Sequence, residues 1–181
     1  CSPIENQGEL GSCTANAGTG LFEYFEKKAS TTYIDASRLF LYKTTRNLLS
    51  LTGDSGAYLR TTAEAMLLFG VPPEKYYPYI ISNFDDEPAA FLYSFADNYK
   101  AMNYYRYDPP GTPKAQLLLS IKRNLGAGLP SMFGFTVYTS INLAAGSGEI
   151  PYPSQGEKMM GGHAVCAVGY DDSKVIVNPS N

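Results

Sequence analysis

Cys13 and His163 are the residues whose types could do covalent chemistry together, in a chain with three Cys and a single His. A thiolate attacks carbonyl carbon, and imidazole, which changes charge near neutral pH, is the partner such a nucleophile needs. Cys13 closes the stretch Gln7-Gly8-Glu9-Leu10-Gly11-Ser12-Cys13, a Gly-punctuated loop running into a helix. Unpaired backbone N–H groups and the helix dipole at that end favour negative charge on sulfur. Gln7, six residues upstream, can fold its amide beside the Cys13 N–H, and two donors aimed at one point make an oxyanion hole. The plainer alternative for Cys13 is a small buried hydrophobe. His163 follows Gly161-Gly162, where backbone can lie close to a ligand. A purely structural His163 would leave Cys13 without a base. Cys166, three positions further on, falls on the opposite strand face by alternation and reads as core. With Cys13 as nucleophile, Cys1 and Cys166 remain as the one pair that could form a disulfide, and sequence does not fix that pairing. There is no C-x-x-C pair, and Asp85-Asp86-Glu87 lacks the spacing of a calcium loop. The expectation is chemistry without a metal or other cofactor.

Several elements must position these groups. From Cys13 to about Lys28, Leu21, Phe22 and Phe25 lie on one face and Glu23, Glu26 and Lys27 on another, with Gly11 and Ser12 as turn and N-cap. Asp35-Ala36-Ser37 caps a second helix ending near Asn47, and residues 48–58 form a turn-rich loop. Arg60 to Phe69 reads as a third helix stopped by Gly70 and barred by Pro72-Pro73. Tyr76-Tyr77-Pro78-Tyr79 reads as extended, and the acidic, aromatic stretch 82–98 as a solvated turn. Further on, Met102 to Tyr107 reads as a strand, Pro113 to Leu125 as an amphipathic helix, and 128–137 and 161–170 as strands rich in aromatic and β-branched residues. A helical part followed by a strand-rich part is α+β, with the cleft between them as the natural ligand site.

Gln-Gly-x-x-Gly-Ser-Cys-x-Ala resembles the nucleophile motif of the papain-like cysteine peptidases, and Gly-His-Ala-Val-x-Ala-Val-Gly-Tyr resembles that family's His strand. The resemblance covers nearly the whole chain and is strongest over 7–17 and 162–170. Leu10 stands where many members carry a disulfide Cys, and Thr14 where most carry an aromatic. The resemblance implies a two-lobe α+β fold in one catalytic domain, 1–181, with a helical lobe over about 1–98 and an antiparallel β lobe over about 99–181. It implies Gln7, Cys13 and His163 as the catalytic residues. Ser55, Gly56, Tyr58 and Gly162 fall at substrate-binding positions, Gly56 as the glycine that binds substrate backbone. Met159 and Met160 precede the His where the family builds part of its main specificity pocket, and Tyr58 and Leu59 would form the opposite wall.

The third catalytic member is an Asn that orients the base. Val175-Ile176-Val177-Asn178 mimics the strand leading to it, but Pro179-Ser180 follows where the family has Ser-Trp. If Asp171–Lys174 makes a hairpin turn, Asn178 pairs opposite Ala167, about 13 Å along the sheet from His163 at roughly 3.3 Å per residue. A tighter turn at Tyr170-Asp171 would bring Asn178 to His163; otherwise the resemblance implies an orienting Asn beyond residue 181, and it implies a domain incomplete at both ends. An inhibitory pro-segment or a separate C-terminal fragment is then a partner besides a peptide or protein substrate. The family resemblance favours a secreted or periplasmic setting. Two other activities fit the same residues: an inactive peptide-binding module on this fold, and an acyl transferase using the same Cys-His pair.

Composition narrows the partners. In 181 residues, 44% are hydrophobic and 17% charged, net charge is −3, and the 14 basic residues are scattered, giving no electrostatic case for nucleic acid or an anionic membrane. No segment is apolar for long enough to span a bilayer. The 15 Tyr and 9 Phe suit a peptide groove and a core equally well.

Overall fold

The computed structural model of the chain describes residues 2–179. Helix α1, Cys13–Ser30, is the element the others pack on; α2 (Arg38–Leu48) and α3 (Leu59–Leu68) pack against it and each other. Gly18 is the point of closest approach: a Cβ there would lie 3.0 Å from Leu41, 3.2 Å from Thr62 and 3.3 Å from Met66. A side chain at residue 18 would wedge the three helices apart. The core is Leu10, Ala15, Phe22, Leu39, Leu41, Tyr42, Ala65, Met66 and Val71, all in the helical part.

Helix α2 is buried around most of its girth, and its small polar side chains find partners one turn away or less. Ser37 accepts from the Phe40 N–H as N-cap, and the Thr44 and Thr45 hydroxyls donate to the Phe40 and Leu41 carbonyls one turn back. Arg46 is fully buried, sandwiched by the Tyr42 and Phe84 rings and donating to the Gly53 carbonyl at 2.6 Å and to Asp85 at 2.7 Å. After α3, Gly70 takes the left-handed conformation (φ 78°), with the Ala96 carbonyl where a Cβ would project.

The stretch 82–98 is more than a solvated turn. It contains helix α4, Ala90–Ala96, whose Leu92 and Ala96 join Phe40 in a second apolar cluster, with Phe91 stacked on Phe95. Asp85 is the counter-ion of Arg46 and Lys43.

Helix α5, Lys114–Gly126, precedes β1 (Ser131–Tyr138), which pairs antiparallel with β2 (Met159–Ala167), Phe135 opposite His163. This hairpin lies against α1, and α3 touches β1. The architecture is α+β, as the pattern of elements predicts. The strand-rich part is leaner than expected: among the described residues its sheet has two strands. Met102–Tyr107 is irregular, and so is Val175–Val177, whose side chains stay largely exposed. Alternation and β-branching supply propensity, but a strand needs a partner edge, and among the described residues neither segment pairs with one. No described helix is long and apolar enough to cross a membrane.

Candidate active site

The α1 N-terminus, the 51–58 loop and the β-hairpin enclose a cleft of about 560 Å³. Its lining contains Gln7, Cys13, Ser55, Gly56, Tyr58, Gly162 and His163. Cys13 is the first residue of α1, where backbone N–H groups lack intrahelical acceptors. Ser12 occupies the cap position, yet its side chain makes no capping bond. Its hydroxyl is 2.5 Å from the Tyr79 phenol, which donates to the Gln7 carbonyl at 2.9 Å. Since that phenol has one proton, the Ser12 hydroxyl donates to Tyr79. Tyr79 thereby ties both ends of the loop before Cys13.

Gln7 donates from Nε2 to the Leu10 carbonyl at 2.9 Å. An amide nitrogen carries two hydrogens, so this bond fixes the amide plane and uses one of them. Leu10, at the position of the family's disulfide Cys, is 3% exposed and belongs to the core. Thr14 lines the cleft beside Cys13, buried, and its hydroxyl has no hydrogen-bond partner among the described residues.

His163 is half-buried on β2, its ring edge-on to Phe135 with centroids 5.8 Å apart. Among the described residues no hydrogen bond reaches the imidazole. Asn178 does not take that place. It is 4% exposed, and its Nδ2 donates to the Tyr152 carbonyl at 2.9 Å and to Glu157 Oε1 at 3.1 Å. Residues 175–177 make no hairpin with β2; Ala167 pairs with Ser131 instead. Glu157 also accepts from the Ser154 and Ser140 N–H groups, and these bonds, Ser154 first, pull its carboxyl down to about 2.

Cys166 is a free thiol, half-buried, pushed up to about 11 by burial, which suits a spectator. Cys1, Ser180 and Asn181 lie outside the described residues. Met159 and Met160 are more than half exposed and do not line the cleft. The apolar wall comes from Leu51, Ala57, Leu59, Phe135 and Ala164. Phe135 could have been found in advance only from the strand register, because its place beside His163 is a cross-strand relation.

Away from the cleft, Glu5, Glu23 and Asp35 bring carboxylate oxygens within 4.8 Å of one another. Arg38 lies 3.1 Å from Glu5. Burial, only partly offset by Arg38, pushes Glu5 up to about 7, and burial raises Glu23 as well. The Arg38 guanidinium offsets part of the repulsion there. None of these residues lines the cleft.

No protein-family model matches the chain. It is 36% identical over 173 residues to an uncharacterized peptidase C1-like protein of Acanthamoeba polyphaga mimivirus, covering 93% of this chain and 56% of the relative. The chain thus spans just over half the length of that relative. Among solved structures it is similar to xylellain, a cysteine protease from Xylella fastidiosa, at 32% identity and a TM-score of 0.80, covering 95% of this chain and 68% of the other. Digestive procathepsin L 3 of the Tenebrio molitor larval midgut shares the fold at 19% identity and a TM-score of 0.65, covering 94% of this chain and 53% of the other.

Proposed function

Because this chain belongs to the papain-like cysteine peptidase family, we propose that it hydrolyses peptide bonds in the cleft between α1 and the β-hairpin. The observation that carries the reading is the convergence of Cys13 and Gln7, from one segment, and His163, from another segment 150 positions beyond Cys13 in the chain, on one cleft. The Cys13 thiolate attacks the substrate carbonyl carbon and a C–S bond forms. Negative charge moves to the carbonyl oxygen, where the Gln7 amide and the Cys13 backbone N–H receive it. The intermediate collapses with cleavage of the C–N bond, and protonated His163 gives its proton to the leaving amine. Water then attacks the thioester while His163 takes a water proton, and the acid product leaves with Cys13 restored as thiolate.

The substrate lies extended along the 55–58 loop, its backbone against Gly56 and an apolar side chain against Leu51, Ala57 and Phe135. The partner is a peptide or protein, and no step calls for a cofactor. A pro-segment filling the same groove would block it, as peptide-shaped occupants of such a cleft compete with substrate.

The test is hydrolysis of fluorogenic peptides with an apolar residue two positions before the scissile bond. Cys13→Ala and His163→Ala should each lower turnover to background while the fold is kept. Undiminished hydrolysis in Cys13→Ala would overturn the reading. The imidazole that receives no hydrogen bond among the described residues favours a second reading, a peptide-binding module without turnover; it predicts peptide binding in the cleft with no cleavage. Incorporation of an added amine with little hydrolysis would mark acyl transfer instead.

A further inference from the structure

The loop between α2 and α3 touches the loop before Cys13 backbone to backbone. A Cβ on Gly11 would lie 2.9 Å from Asp54 Oδ1 and 3.5 Å from the Gly56 Cα and N atoms. Asp54 is at the centre of this contact. Its carboxylate accepts the Gly11 N–H through both oxygens, at 2.9 and 3.1 Å. Oδ1 also accepts the Tyr42 phenol at 2.5 Å, and the Tyr42 oxygen in turn accepts the Gly56 N–H at 3.1 Å. The result is a continuous relay from Gly56 through Tyr42 and Asp54 to Gly11.

Both ends of the relay matter to the cleft, and its middle does not enter it. Gly11 and Gly56 line the cleft, whereas Asp54 and Tyr42 do not. Tyr42 is fully buried on α2, so the middle of the relay is fixed to the core. Burial, together with the bond to Asp54, raises the phenol above its ordinary value and keeps it a donor. The loop is held independently on its other flank, where Gly53 donates to Asp85 at 3.0 Å and its carbonyl accepts from Arg46. Gly56 adopts φ 70°, a conformation that the bond to Tyr42 stabilises and that few other residues would accept.

We propose that Asp54 is a positioning residue: with Tyr42 it clamps the loop carrying Cys13 to the loop carrying Gly56, fixing the separation between nucleophile and substrate backbone. The clamp's effect on turnover rests on the peptidase reading of the cleft. Reaction rates are sensitive to such separations, since misplacement by about 1 Å can cost roughly 10²-fold. The two arms are separable. Tyr42→Phe removes the acceptor for Gly56 and leaves Asp54 on Gly11. Asp54→Ala frees Gly11 and leaves the bond from Gly56 to Tyr42. Asp54→Asn keeps an oxygen that can serve one arm.

The experiment measures peptide hydrolysis and backbone amide exchange in the same set of variants. Tyr42→Phe should raise KM about tenfold, with kcat within about threefold of the parent. Asp54→Ala should lower kcat/KM by about 10–10² through both constants, and Asp54→Asn should recover part of the loss. Amide exchange reads the clamp without turnover: protection of Gly56 alone should fall in Tyr42→Phe, and that of Gly11 alone in Asp54→Ala. A chain that shows this exchange pattern but cleaves no peptide refutes the peptidase reading and leaves the clamp standing. Unchanged kinetics and exchange in Asp54→Ala overturn the clamp. So does a uniform loss of protection across the core that Asp54→Asn does not relieve.

Discussion

The chemistry proposed for this chain is divided among side chains whose separate contributions can be read one at a time. In the proposed mechanism Gln7 acts only on charge that develops during the reaction, so Gln7→Ala should reduce kcat by about 10²–10³. Alkylation of Cys13 by iodoacetamide, which passes through no oxyanion, should keep its rate. A loss confined to KM would mean that Gln7 merely binds substrate. Asn178 poses the opposite case. Its amide is committed to the Tyr152 carbonyl and Glu157, so Asn178→Ala should lower the melting midpoint while kcat stays within about twofold. A large fall in kcat at unchanged stability would make Asn178 a partner of His163 after all. At this scale the sequence is most informative where chemistry is local. Gln7, Ser12 and Cys13 lie on one short segment whose glycines and helix start can be read directly. The Tyr79 bond that braces them comes from 67 positions away from Ser12, and no pattern near Cys13 points to it.

Among the elements, α1, α2, α3 and α5 and both strands are legible because each carries its own periodicity and its own stop signals. The misjudged stretches have the same physical cause. Helix α4 is seven residues long, and its stability comes from rings of Phe40, Phe69 and Tyr76 outside it. Residues 102–107 and 175–177 have strand composition without a strand partner. The acidic run beginning at Asp85 reads as solvent-facing until Arg46 and Lys43 are brought to it by α2. That contact has a pH signature. The Gly53 N–H, followed by Arg46, holds Asp85 down to about 2, below its ordinary value. The stabilisation is therefore complete above the ordinary carboxylate pKa and lost as pH falls from about 4 toward 2. Asp85→Asn should flatten the stability profile in that window, measured as denaturant midpoint against pH. An unchanged acid limb would show that Asp85 titrates alike in the folded and unfolded chain.

For the whole molecule, the rigid part and the reactive part are joined through α1. Its buried face forms the core with α2 and α3, its first residue is Cys13, and its last turns reach the opposite part of the fold. Tyr24 and Lys28 donate to the Gly128 carbonyl just before β1, at 2.9 and 2.8 Å. The strand bearing His163 is thus referenced to the same helix that presents the thiol. The α+β class and the cleft between its parts follow from the order of elements in the sequence; the cleft walls depend on cross-strand register and loop contacts that sequence leaves open. The most direct measurement is the rate at which a small alkylating reagent labels each cysteine of the native chain near pH 7, read by peptide mass mapping. Cys13 should be labelled to one equivalent, faster than free cysteine, and His163→Ala should slow it at least tenfold, while Cys166 stays unreacted. Labelling of Cys13 no faster than Cys166, or indifferent to His163, would contradict the account.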